Sequence, residues 1–377
     1  MIFANFILKT VIEMIFALVY ISKYNSEVDI LKKFLSSILC LCIVFSLCSC
    51  SLFDNSIAKH NSEDFLVHFI DVGQGDCILL ESEDDFVLID AGESEYGATV
   101  CQYLLDNKVK SIDYVIATHP HSDHCGGLTE VIETFPCENF ITVETDQQSK
   151  IWLNVLYAVN NENVNYIDAQ VGDTYSFGNA SFEIMGPYSK IYDNYNDYSV
   201  IVKATYKSNS FLFTGDSEKA VESEMLENGA DLKADVLKVS HHGSATSSSI
   251  DFLDAVSPSY SVITCGMYND YGHPHRETTD HLNHKGIITY RTDIMGTVVA
   301  VSNGNDIQFF YENEEDVPSP TRFDTSKLSY VGNKNTKKFH LSTCDGATSM
   351  SSKNKVNFKN REQAIDNGYS PCKTCNP

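Results

Sequence analysis

The sequence predicts a sheet-rich α/β fold with a candidate metal site along one edge of a sheet. Apolar runs with the composition of buried strands recur between residues 65 and 311, and patterns typical of amphipathic helices alternate with them. Loops that carry histidine and aspartate follow several of these strands. No internal repeat is visible in the sequence, which argues against a solenoid or a propeller.

Composition excludes a disordered protein, and the charge distribution separates an acidic body from a basic tail. Hydrophobic residues make up 43% of the 377 residues and aromatic residues 11%, enough for a large buried core. The formal net charge of −24 argues against a general nucleic-acid binder. Residues 50–327 carry 15 basic and 45 acidic side chains, whereas residues 328–377 carry 8 basic and 3 acidic ones.

Residues 31–50 have the pattern of a bacterial lipoprotein signal. Two lysines precede an apolar run, and the segment ends in Leu-Cys-Ser-Cys, which resembles a lipobox. We therefore expect lipidation at Cys50 and attachment to the outer face of the cell membrane. An uncleaved transmembrane helix is the alternative, and it also leaves the body outside because the lysines precede the span. We further hypothesise that translation begins near Ile30 or Leu31. Detection of peptides from residues 1–29 in the unprocessed precursor would contradict this hypothesis.

The body opens with two β-rich runs joined by an acidic turn, which predicts a hairpin. The runs cover residues 65–80 and 86–92, and a Gly-Gln-Gly-Asp loop interrupts the first. Carboxylates in this loop and at strand ends can orient metal-binding histidines. The candidates for this role are Asp71, Asp76 and Asp90. Helical patterns follow at 99–107, 127–135, 150–161 and 218–228.

The decapeptide 118–127 concentrates four potential metal ligands on a strand-to-helix loop. It reads Thr-His-Pro-His-Ser-Asp-His-Cys-Gly-Gly and follows an apolar run. Histidine nitrogen and aspartate oxygen suit borderline cations such as zinc or manganese. A solvated polar turn is the alternative, but three of the 12 histidines of the chain lie within six positions beside an aspartate. The four candidate ligands are His119, His121, Asp123 and His124.

Later loops carry further candidate site residues. Asp216 comes just past a buried strand, a favoured position for a ligand, and His241 and His242 follow another apolar run. His273 and His275 lie in a polar loop.

Taken in order, these motifs resemble the metallo-β-lactamase superfamily, and within it the extracellular hydrolase domain of ComEC-like DNA-uptake proteins. The motifs are Phe-Ile-Asp-Val-Gly-Gln-Gly-Asp at 69–76, Leu-Ile-Asp-Ala-Gly at 88–92, Thr-His-Pro-His-Ser-Asp-His at 118–124, Phe-Thr-Gly-Asp at 213–216 and Ser-His-His-Gly-Ser at 240–244. The resemblance covers about 65–311. It implies an α/β fold of the αββα type, with two β-sheets flanked by helices, and a site for two divalent cations, zinc or manganese.

The resemblance also implies a role for each ligand. The two cations would share one bridging carboxylate: His119 and His121 bind the first, Asp123 and His124 the second, and Asp216 bridges both. The final ligand falls on His241, with His242 as the alternate. A histidine that usually precedes the bridging aspartate is missing here. Asn196, Asp197 or a water would replace it, which makes the first site richer in oxygen and favours manganese.

The ligand set implies hydrolysis by a metal-activated water. Two cations would stabilise the attacking and departing oxygens of a phosphodiester, so a nucleic acid is the expected substrate. Asp123 would contribute to catalysis as a ligand of the second cation. His242, His273 and His275 are candidates to contact the phosphate or to protonate the leaving oxygen. For His273 and His275, plain loop structure is the alternative.

The basic tail carries a second metal pattern. A His-x3-Cys pair and a later Cys-x2-Cys pair supply one nitrogen and three thiolates, which favours a closed structural zinc site over a disordered tail. Because so short a segment buries few apolar side chains, bound zinc would supply much of its folding free energy. The pattern resembles the zinc domain of Ada-type DNA repair proteins. A histidine replaces the methyl-accepting cysteine here, which predicts a structural or DNA-binding module. The ligands are His340, Cys344, Cys372 and Cys375.

The leading hypothesis is an extracellular, lipid-anchored, metal-dependent hydrolase, a phosphodiesterase or nuclease that acts on DNA. A lactonase or β-lactamase-like hydrolase is the alternative among enzymes. A non-catalytic DNA-binding lipoprotein that assists uptake is the alternative from another class, and the full ligand set argues against it. The expected segments are a signal region at 1–49 (an extension ahead of the true start at 1–29 and a lipoprotein signal at 30–49), a tether at 50–64, a hydrolase domain at 65–311, a linker at 312–327 and a zinc-binding domain at 328–377.

Overall fold

A computed structural model describes residues 61–320, 329–342, 344–359 and 361–372. The signal region, Cys50, most of the tether, part of the linker and Cys375 lie outside these residues, so the expectations made for them remain predictions. Among the residues that are described, none of the helices combines the length and the apolar character that crossing a membrane requires.

Residues 61–320 contain two large β-sheets. Their strands, in chain order, are β1 Phe65–Phe69, β2 Ile78–Ser82, β3 Asp85–Ile89, β4 Ile112–Ile116, β5 Cys137–Thr142, β6 Asn165–Asp168, β7 Thr174–Phe177, β8 Ala180–Gly186, β9 Ile201–Tyr206, β10 Asn209–Phe213, β11 Val236–Lys238, β12 Tyr260–Ile263, β13 Ile288–Arg291, β14 Val298–Ser302 and β15 Ile307–Tyr311. The first sheet has the strand order β15-β14-β1-β2-β3-β4-β5-β6, and the second has the order β13-β12-β11-β10-β9-β8-β7.

The two sheets share one apolar core. Phe65, Val67 and Phe69 alternate along β1 and are fully buried in the same cluster as Phe211 and Phe213 of β10. The rings of Phe65 and Phe211 meet edge to face, with centroids 5.4 Å apart. Because alternate residues of a strand point to the same face, this core fills the space between the sheets.

Helices cover the outer face of each sheet. The helices of this region are α1 Gly97–Asp106, α2 Ser122–Cys125, α3 Leu128–Thr134, α4 Lys150–Asn161, α5 Lys219–Glu227, α6 Ile250–Val256, α7 Arg276–His284 and α8 Thr292–Met295. Buried residues of α1, α3 and α4 pack in one cluster with Leu79 and Leu88 of the first sheet. Those of α5, α6 and α7 pack with Leu212 and Leu237 of the second. The predicted αββα architecture is therefore confirmed.

The predicted hairpin forms between β2 and β3, which pair antiparallel across the acidic turn. The first β-rich run is divided, since the Gly-Gln-Gly-Asp loop separates β1 from β2. Beyond the hairpin, β3, β4 and β5 run parallel in the first sheet, and β10, β11, β12 and β13 run parallel in the second. The carboxyl ends of parallel strands meet at one edge of a sheet, where open α/β sheets place their sites.

The tail has a core of its own. Its strands are β16 Tyr330–Asn333, β17 Lys338–Leu341, β18 Lys355–Phe358 and β19 Ser370–Pro371, arranged in the order β18-β16-β17-β19, and its helices are α9 Asp345–Thr348 and α10 Arg361–Asp366. The core consists mainly of Tyr330, Phe339, Leu341, Phe358 and Tyr369. So few apolar residues supply little hydrophobic stabilisation, which is consistent with a need for bound metal.

Candidate metal centre

Three loops bring the predicted ligands together, and each follows a parallel strand. Residues 118–124 follow β4, Asp216 follows β10, and His241 and His242 follow β11. Because β4 belongs to the first sheet and the other two strands to the second, the site joins both sheets. The backbone of His241 and His242 is left-handed, with φ angles of 51° and 52°. Residues other than glycine rarely adopt this conformation, and it clusters at functional sites.

Asp123, His124, Asp216 and His242 form one group of ligand atoms. One atom from each lies within 4.8 Å of the others. Oδ1 of Asp216 is 3.2 Å from Nε2 of His124 and 3.4 Å from Nε2 of His242. Oδ2 of Asp123 is 3.4 Å from Nε2 of His242 and 3.9 Å from Nε2 of His124. Two carboxylates and two imidazoles therefore face one point, and zinc and manganese both accept such a donor set.

Unsatisfied buried atoms at this point fit a bound cation. Among the described residues, Nε2 of His124, Oδ1 of Asp216 and Nε2 of His242 are buried without a hydrogen-bond partner. Leaving one such atom unsatisfied costs about 1–3 kcal/mol, and more when the group is charged. A divalent cation among the three atoms would satisfy all of them at once. The chemistry of the donor atoms and their lack of hydrogen-bond partners thus both indicate a cation site.

The surplus of carboxylates favours positive charge at the centre. Burial acts to lower the pKa of His124 and His242, but the carboxylates, Asp216 foremost, raise it well above the usual value. Burial likewise acts to raise the pKa of Asp123, and His124 holds it at about 2. The centre therefore attracts either protons or a cation. Binding of a cation to the two imidazoles should release protons, as is general for metal sites.

Hydrogen bonds at Nδ1 determine which nitrogen of each ring faces the centre. Nδ1 of His124 donates to Oδ2 of Asp90, and Nδ1 of His242 donates to the carbonyl oxygen of Thr264, both at 2.8 Å. Asp90 is held in turn by the backbone N–H of Thr118 at 2.8 Å and its hydroxyl at 2.6 Å. With the proton on Nδ1, Nε2 offers its lone pair to a cation. Asp90 thus has the orienting geometry predicted for it.

His119 and His121 form a second pair of neutral donors. Nε2 of His119 lies 3.0 Å from Nδ1 of His121. Burial lowers the pKa of both rings, and that of His119 falls well below its usual value. Both rings are therefore neutral at neutral pH, which is the form that binds metals. Nδ1 of His119 contacts the hydroxyls of Thr118 and Ser199 at 3.1 and 3.3 Å, so Nε2 is the atom left to face His121.

Asn196, and not Asp197, turns its side chain toward the histidines of the centre. Nδ2 of Asn196 lies 3.5 Å from Nε2 of His241 and 3.2 Å from Oε1 of Glu218. Its Oδ1 is buried and has no hydrogen-bond partner in the described part of the chain. Asp197 instead accepts the backbone N–H of Glu218 at 2.9 Å. Of the two predicted substitutes, only Asn196 directs an unsatisfied oxygen that could take a metal.

The structure corrects the assignment of the final ligand. His242, the alternate, joins Asp123 and His124, whereas Nε2 of the favoured His241 lies 3.7 Å from Oδ2 of Asp216. The left-handed backbone turns the two adjacent rings toward different oxygens of this carboxylate. His242 is also wrongly assigned as a proton donor, because Nδ1 is bonded to Thr264 and Nε2 faces the carboxylates.

Lys238 is a site residue that the sequence analysis missed. It is fully buried at the end of β11, and its Nζ lies 2.5 Å from Oδ2 of Asp76 and 3.2 Å from the carbonyl oxygen of Gly215. Asp76 in turn lies 3.5 Å from Nδ1 of His242 and 3.8 Å from Nδ1 of His124. The predicted support by Asp76 therefore depends on a lysine. The available signal was a lysine inside an apolar strand pattern, which calls for a buried partner.

Two predicted residues have structural roles instead. Oδ1 of Asp71 accepts the backbone N–H of Gly73 at 3.0 Å, and the N–H of Asp71 donates to Thr297 at 3.1 Å. These bonds stabilise the loop after β1, so the prediction that Asp71 orients a histidine is wrong. Nδ1 of His275 accepts the backbone N–H of Ala245 at 2.9 Å. His275 therefore has the structural role in its loop that was the alternative to a catalytic one.

His273 remains beside the centre. Its ring centroid lies 5.4 Å from that of His241 and 6.2 Å from that of His242. Its Nδ1 is buried and has no hydrogen-bond partner within the described residues. Burial, together with the charge of neighbouring histidines, lowers the pKa of His273 to about 4. The ring is therefore neutral at neutral pH and keeps one nitrogen available.

The tail brings three of its four predicted ligands together. Ligand atoms of His340, Cys344 and Cys372 lie within 4.8 Å of one another, and Nδ1 of His340 is 3.5 Å from Sγ of Cys344. A side chain at Gly346 would lie only 2.6 Å from the imidazole ring, so glycine is needed for this approach. One nitrogen and two thiolates fit a structural zinc site that the fourth ligand would close. That ligand, Cys375, lies outside the described residues.

Fold and centre together define a metal-binding protein of the αββα hydrolase class. Residues 70–266 match the metallo-beta-lactamase superfamily, and residues 321–377 match the metal binding domain of Ada. The first match covers more than half of the chain. The chain belongs to the metallo-beta-lactamase superfamily.

Three curated proteins are among those similar to this chain. ComE operon protein 3 of Bacillus subtilis is 28% identical over 62% of this chain and 32% of that protein. Recombination protein 2 of Haemophilus influenzae is 26% identical over 71% of this chain and 32% of that protein. Competence protein ComA of Neisseria gonorrhoeae is 29% identical over 60% and 31%. The chain thus spans about a third of the length of these relatives. The predicted resemblance to a ComEC-like hydrolase with an Ada-like zinc domain is confirmed.

Among solved structures, the metallo-beta-lactamase fold protein YhfI from Bacillus subtilis is similar, with 12% identity and a TM-score of 0.42. It covers 66% of this chain and 100% of that one. CmlA, a diiron beta-hydroxylase from Streptomyces venezuelae, has 13% identity and a TM-score of 0.44, and covers 67% and 55%.

The corrected ligand assignment can be tested by metal content. His242→Ala should lose about one cation per chain from the body, because it removes one of the four donors that face a single point. His241→Ala should retain that cation. Metal per chain is measured by mass spectrometry after desalting from Mn²⁺ or Zn²⁺. His284→Ala, which removes a histidine of α7 outside both groups, serves as the control. Loss of this cation in His241→Ala but not in His242→Ala would restore the original assignment.

Proposed function

We propose that the chain is a metal-dependent phosphodiesterase that cleaves nucleic acid. The observation that carries this proposal is that the two carboxylate oxygens of Asp216 face different imidazoles. Its Oδ1 faces His124 and His242, and its Oδ2 faces His241. A carboxylate that serves two neighbouring cations suits substrates in which both an attacking and a departing oxygen need stabilisation, and phosphodiesters are such substrates.

Each part of the site has its own task in this reaction. When bound, the cations supply an activated water and polarise a phosphoryl oxygen. His124 and His242 are fixed by their Nδ1 bonds, so they hold their positions without reorganisation. His273, neutral at neutral pH, can donate or accept one hydrogen bond at a substrate oxygen. It does not deliver a proton as an imidazolium, which revises the role predicted for it.

Loss of the bridging carboxylate tests this function. Asp216→Asn should lower hydrolysis of bis-p-nitrophenyl phosphate and single-stranded DNA by the purified full chain with Mn²⁺ by at least about 100-fold, because it removes a carboxylate that would help to hold both cations. Asp231→Asn, which changes an exposed carboxylate, should leave the rate unchanged.

The same assay discriminates the alternative functions. Turnover of the β-lactam nitrocefin without cleavage of either phosphodiester would identify a lactam or lactone hydrolase. If neither class of substrate were cleaved by protein that holds its cations, the chain would be a non-catalytic DNA-binding protein.

The basic tail supports nucleic acid as the substrate. Lys353 and Lys359 are exposed there, and the tail is positively charged whereas the body is strongly acidic. The names of the relatives connect those proteins with competence and recombination. We therefore infer that the tail holds the polyanion that the body repels.

Charge reversal in the tail tests this inference. Lys353→Glu with Lys359→Glu should weaken binding of single-stranded DNA to the full chain. It should also reduce the slope of log affinity against log salt by about 0.7 for each phosphate that the tail no longer neutralises. Fluorescence anisotropy at several salt concentrations measures both quantities. Lys190→Glu, an exposed lysine of the body, is the matched control. An unchanged slope in the double variant would contradict the inference.

We propose that the reaction takes place on the outer face of the cell membrane. The support is the lipoprotein-like pattern before Cys50, which lies outside the described residues. Cys50→Ser should abolish incorporation of labelled palmitate and shift the protein from the detergent phase to the aqueous phase of Triton X-114. Cys48→Ser, two residues away in the same segment, should retain both properties. Wild-type protein that takes up no label would refute the anchor.

A further inference from the structure

Residues 266–273 form a loop, here called the tyrosine loop, that exposes large hydrophobic side chains next to the metal centre. Met267 is 61% exposed, Tyr268 94% and Tyr271 66%. Single exposed hydrophobic residues are common, but three within five positions form a patch, and such patches mark binding surfaces. The loop follows β12, and its last residue is His273.

One side chain, that of Asn269, connects the two ends of the tyrosine loop. Nδ2 of Asn269 donates to the carbonyl oxygens of Gly266 and His273 at 2.8 and 2.7 Å, and Oδ1 of Asn269 accepts the N–H of His273 at 2.9 Å. Tyr268 has a left-handed backbone with φ of 59°. The exposed ring is thus presented from a fixed backbone, which reduces the entropy lost when a ligand binds.

One end of the tyrosine loop contacts the loop that carries Asp76, and the other end lies beside the histidines of the centre. The N–H of Gly266 donates to Oε1 of Gln74 at 3.2 Å, and a side chain at Gly266 would lie 2.7 Å from the backbone nitrogen of Gln74. At the other end, the ring of Tyr271 stacks on that of His273, with centroids 5.6 Å apart and planes 20° from parallel. His273 in turn lies beside His241. A ligand on this loop therefore adjoins the site of hydrolysis.

A cavity of about 340 Å³ opens between the tyrosine loop and the end of β13. Its lining includes Met267, Tyr268, His273 and Arg291. This volume is at the lower end of the range for small-molecule sites. Nε and Nη2 of Arg291 contact the two carboxylate oxygens of Asp293 at 3.0 and 2.6 Å. The guanidinium is thus fixed and its charge is balanced, which suits a planar polar group better than a phosphate.

Charge limits how the body can hold a polyanion. Residues 50–327 have three acidic side chains for every basic one, so phosphates gain no attraction from the body apart from bound cations. Stacking of bases on aromatic rings does not depend on charge and contributes about 1–3 kcal/mol per base. Aromatic rings beside the centre can therefore hold a nucleic acid that the charge of the body does not attract.

We propose that the tyrosine loop is a nucleobase-stacking subsite, in which Tyr268 takes a base that flanks the phosphodiester at the metal centre. This inference rests on the proposed function and specifies its substrate as an unpaired strand, because a base must leave its neighbours to stack on the loop. A nucleobase also fits the polar wall formed by the ion pair of Arg291 better than an acyl chain does.

The test compares binding of two short fluorescein-labelled strands to the full chain, one of thymidines and one of abasic residues with the same phosphates. Wild type should bind the thymidine strand more tightly. Tyr268→Ala should lose about 5- to 150-fold of this preference, the equivalent of one stacked base. Tyr268→Phe should retain it, since the ring remains. Tyr157→Ala, which removes an exposed tyrosine of α4, should bind as wild type does.

Equal binding of the two strands by wild type, or an unchanged preference in Tyr268→Ala, would overturn the subsite. Because Tyr268 is almost fully exposed, its removal does not threaten folding. Binding is read without cleavage, so the two proposals can fail separately. Base-dependent binding without hydrolysis would keep the subsite and reject the nuclease. Hydrolysis with no base preference would keep the nuclease and reject the subsite.

Discussion

The buried ion pair between Asp76 and Lys238 joins the two sheets at the metal centre. Asp76 comes from the loop between β1 and β2 of the first sheet, and Lys238 ends β11 of the second. Burial of each ion costs several kcal/mol, which a short contact and further hydrogen bonds must offset. The carbonyl of Gly215 and the hydroxyl of Thr264 supply such bonds. Burial acts to raise the pKa of Asp76, but Lys238 holds it well below its usual value.

This ion pair determines the environment of both histidines in the main group. Asp76 lies near Nδ1 of His124 and of His242, on the side away from the centre, while Asp216 lies at Nε2 of both. Each ring is therefore placed between an orienting group and the carboxylate of Asp216. Because Asp90 and Thr264 accept the Nδ1 protons, the lone pairs of Nε2 point toward the centre. The geometry of the centre is thus set by groups outside the main group of ligands.

Much of the fold followed from local sequence, because buried strands and amphipathic helices leave periodic patterns. The helix α4 was predicted with its observed bounds, Lys150–Asn161. Helix α7 was missed because it is largely polar, and only Thr278, His281 and Leu282 are buried. Apolar periodicity, the main signal for a helix, is weak in such a segment.

The remaining features of the centre depend on contacts that local sequence does not encode. The partner of Lys238 lies on the other sheet, so its role appears only after the sheets pack. The choice between His241 and His242 follows from two successive left-handed residues, whereas a sequence pattern assumes regular alternation. Similarly, Asn196 and Asp197 are neighbours in the sequence. The backbone N–H of Glu218 donates to Asp197, which leaves Asn196 as the residue that can reach the centre.

The charge of the body explains why the remaining features lie where they do. A body with 45 acidic side chains among residues 50–327 repels a nucleic acid that approaches its surface. Divalent cations reverse this repulsion only locally, since free charges are screened within about 10 Å at ordinary salt. On the proposed function, the chain would have to capture the nucleic acid elsewhere and hold it by contacts that do not depend on charge. The basic tail would suit the first task and the exposed tyrosines beside the centre the second, which is why the proposed substrate is an unpaired strand whose bases can stack.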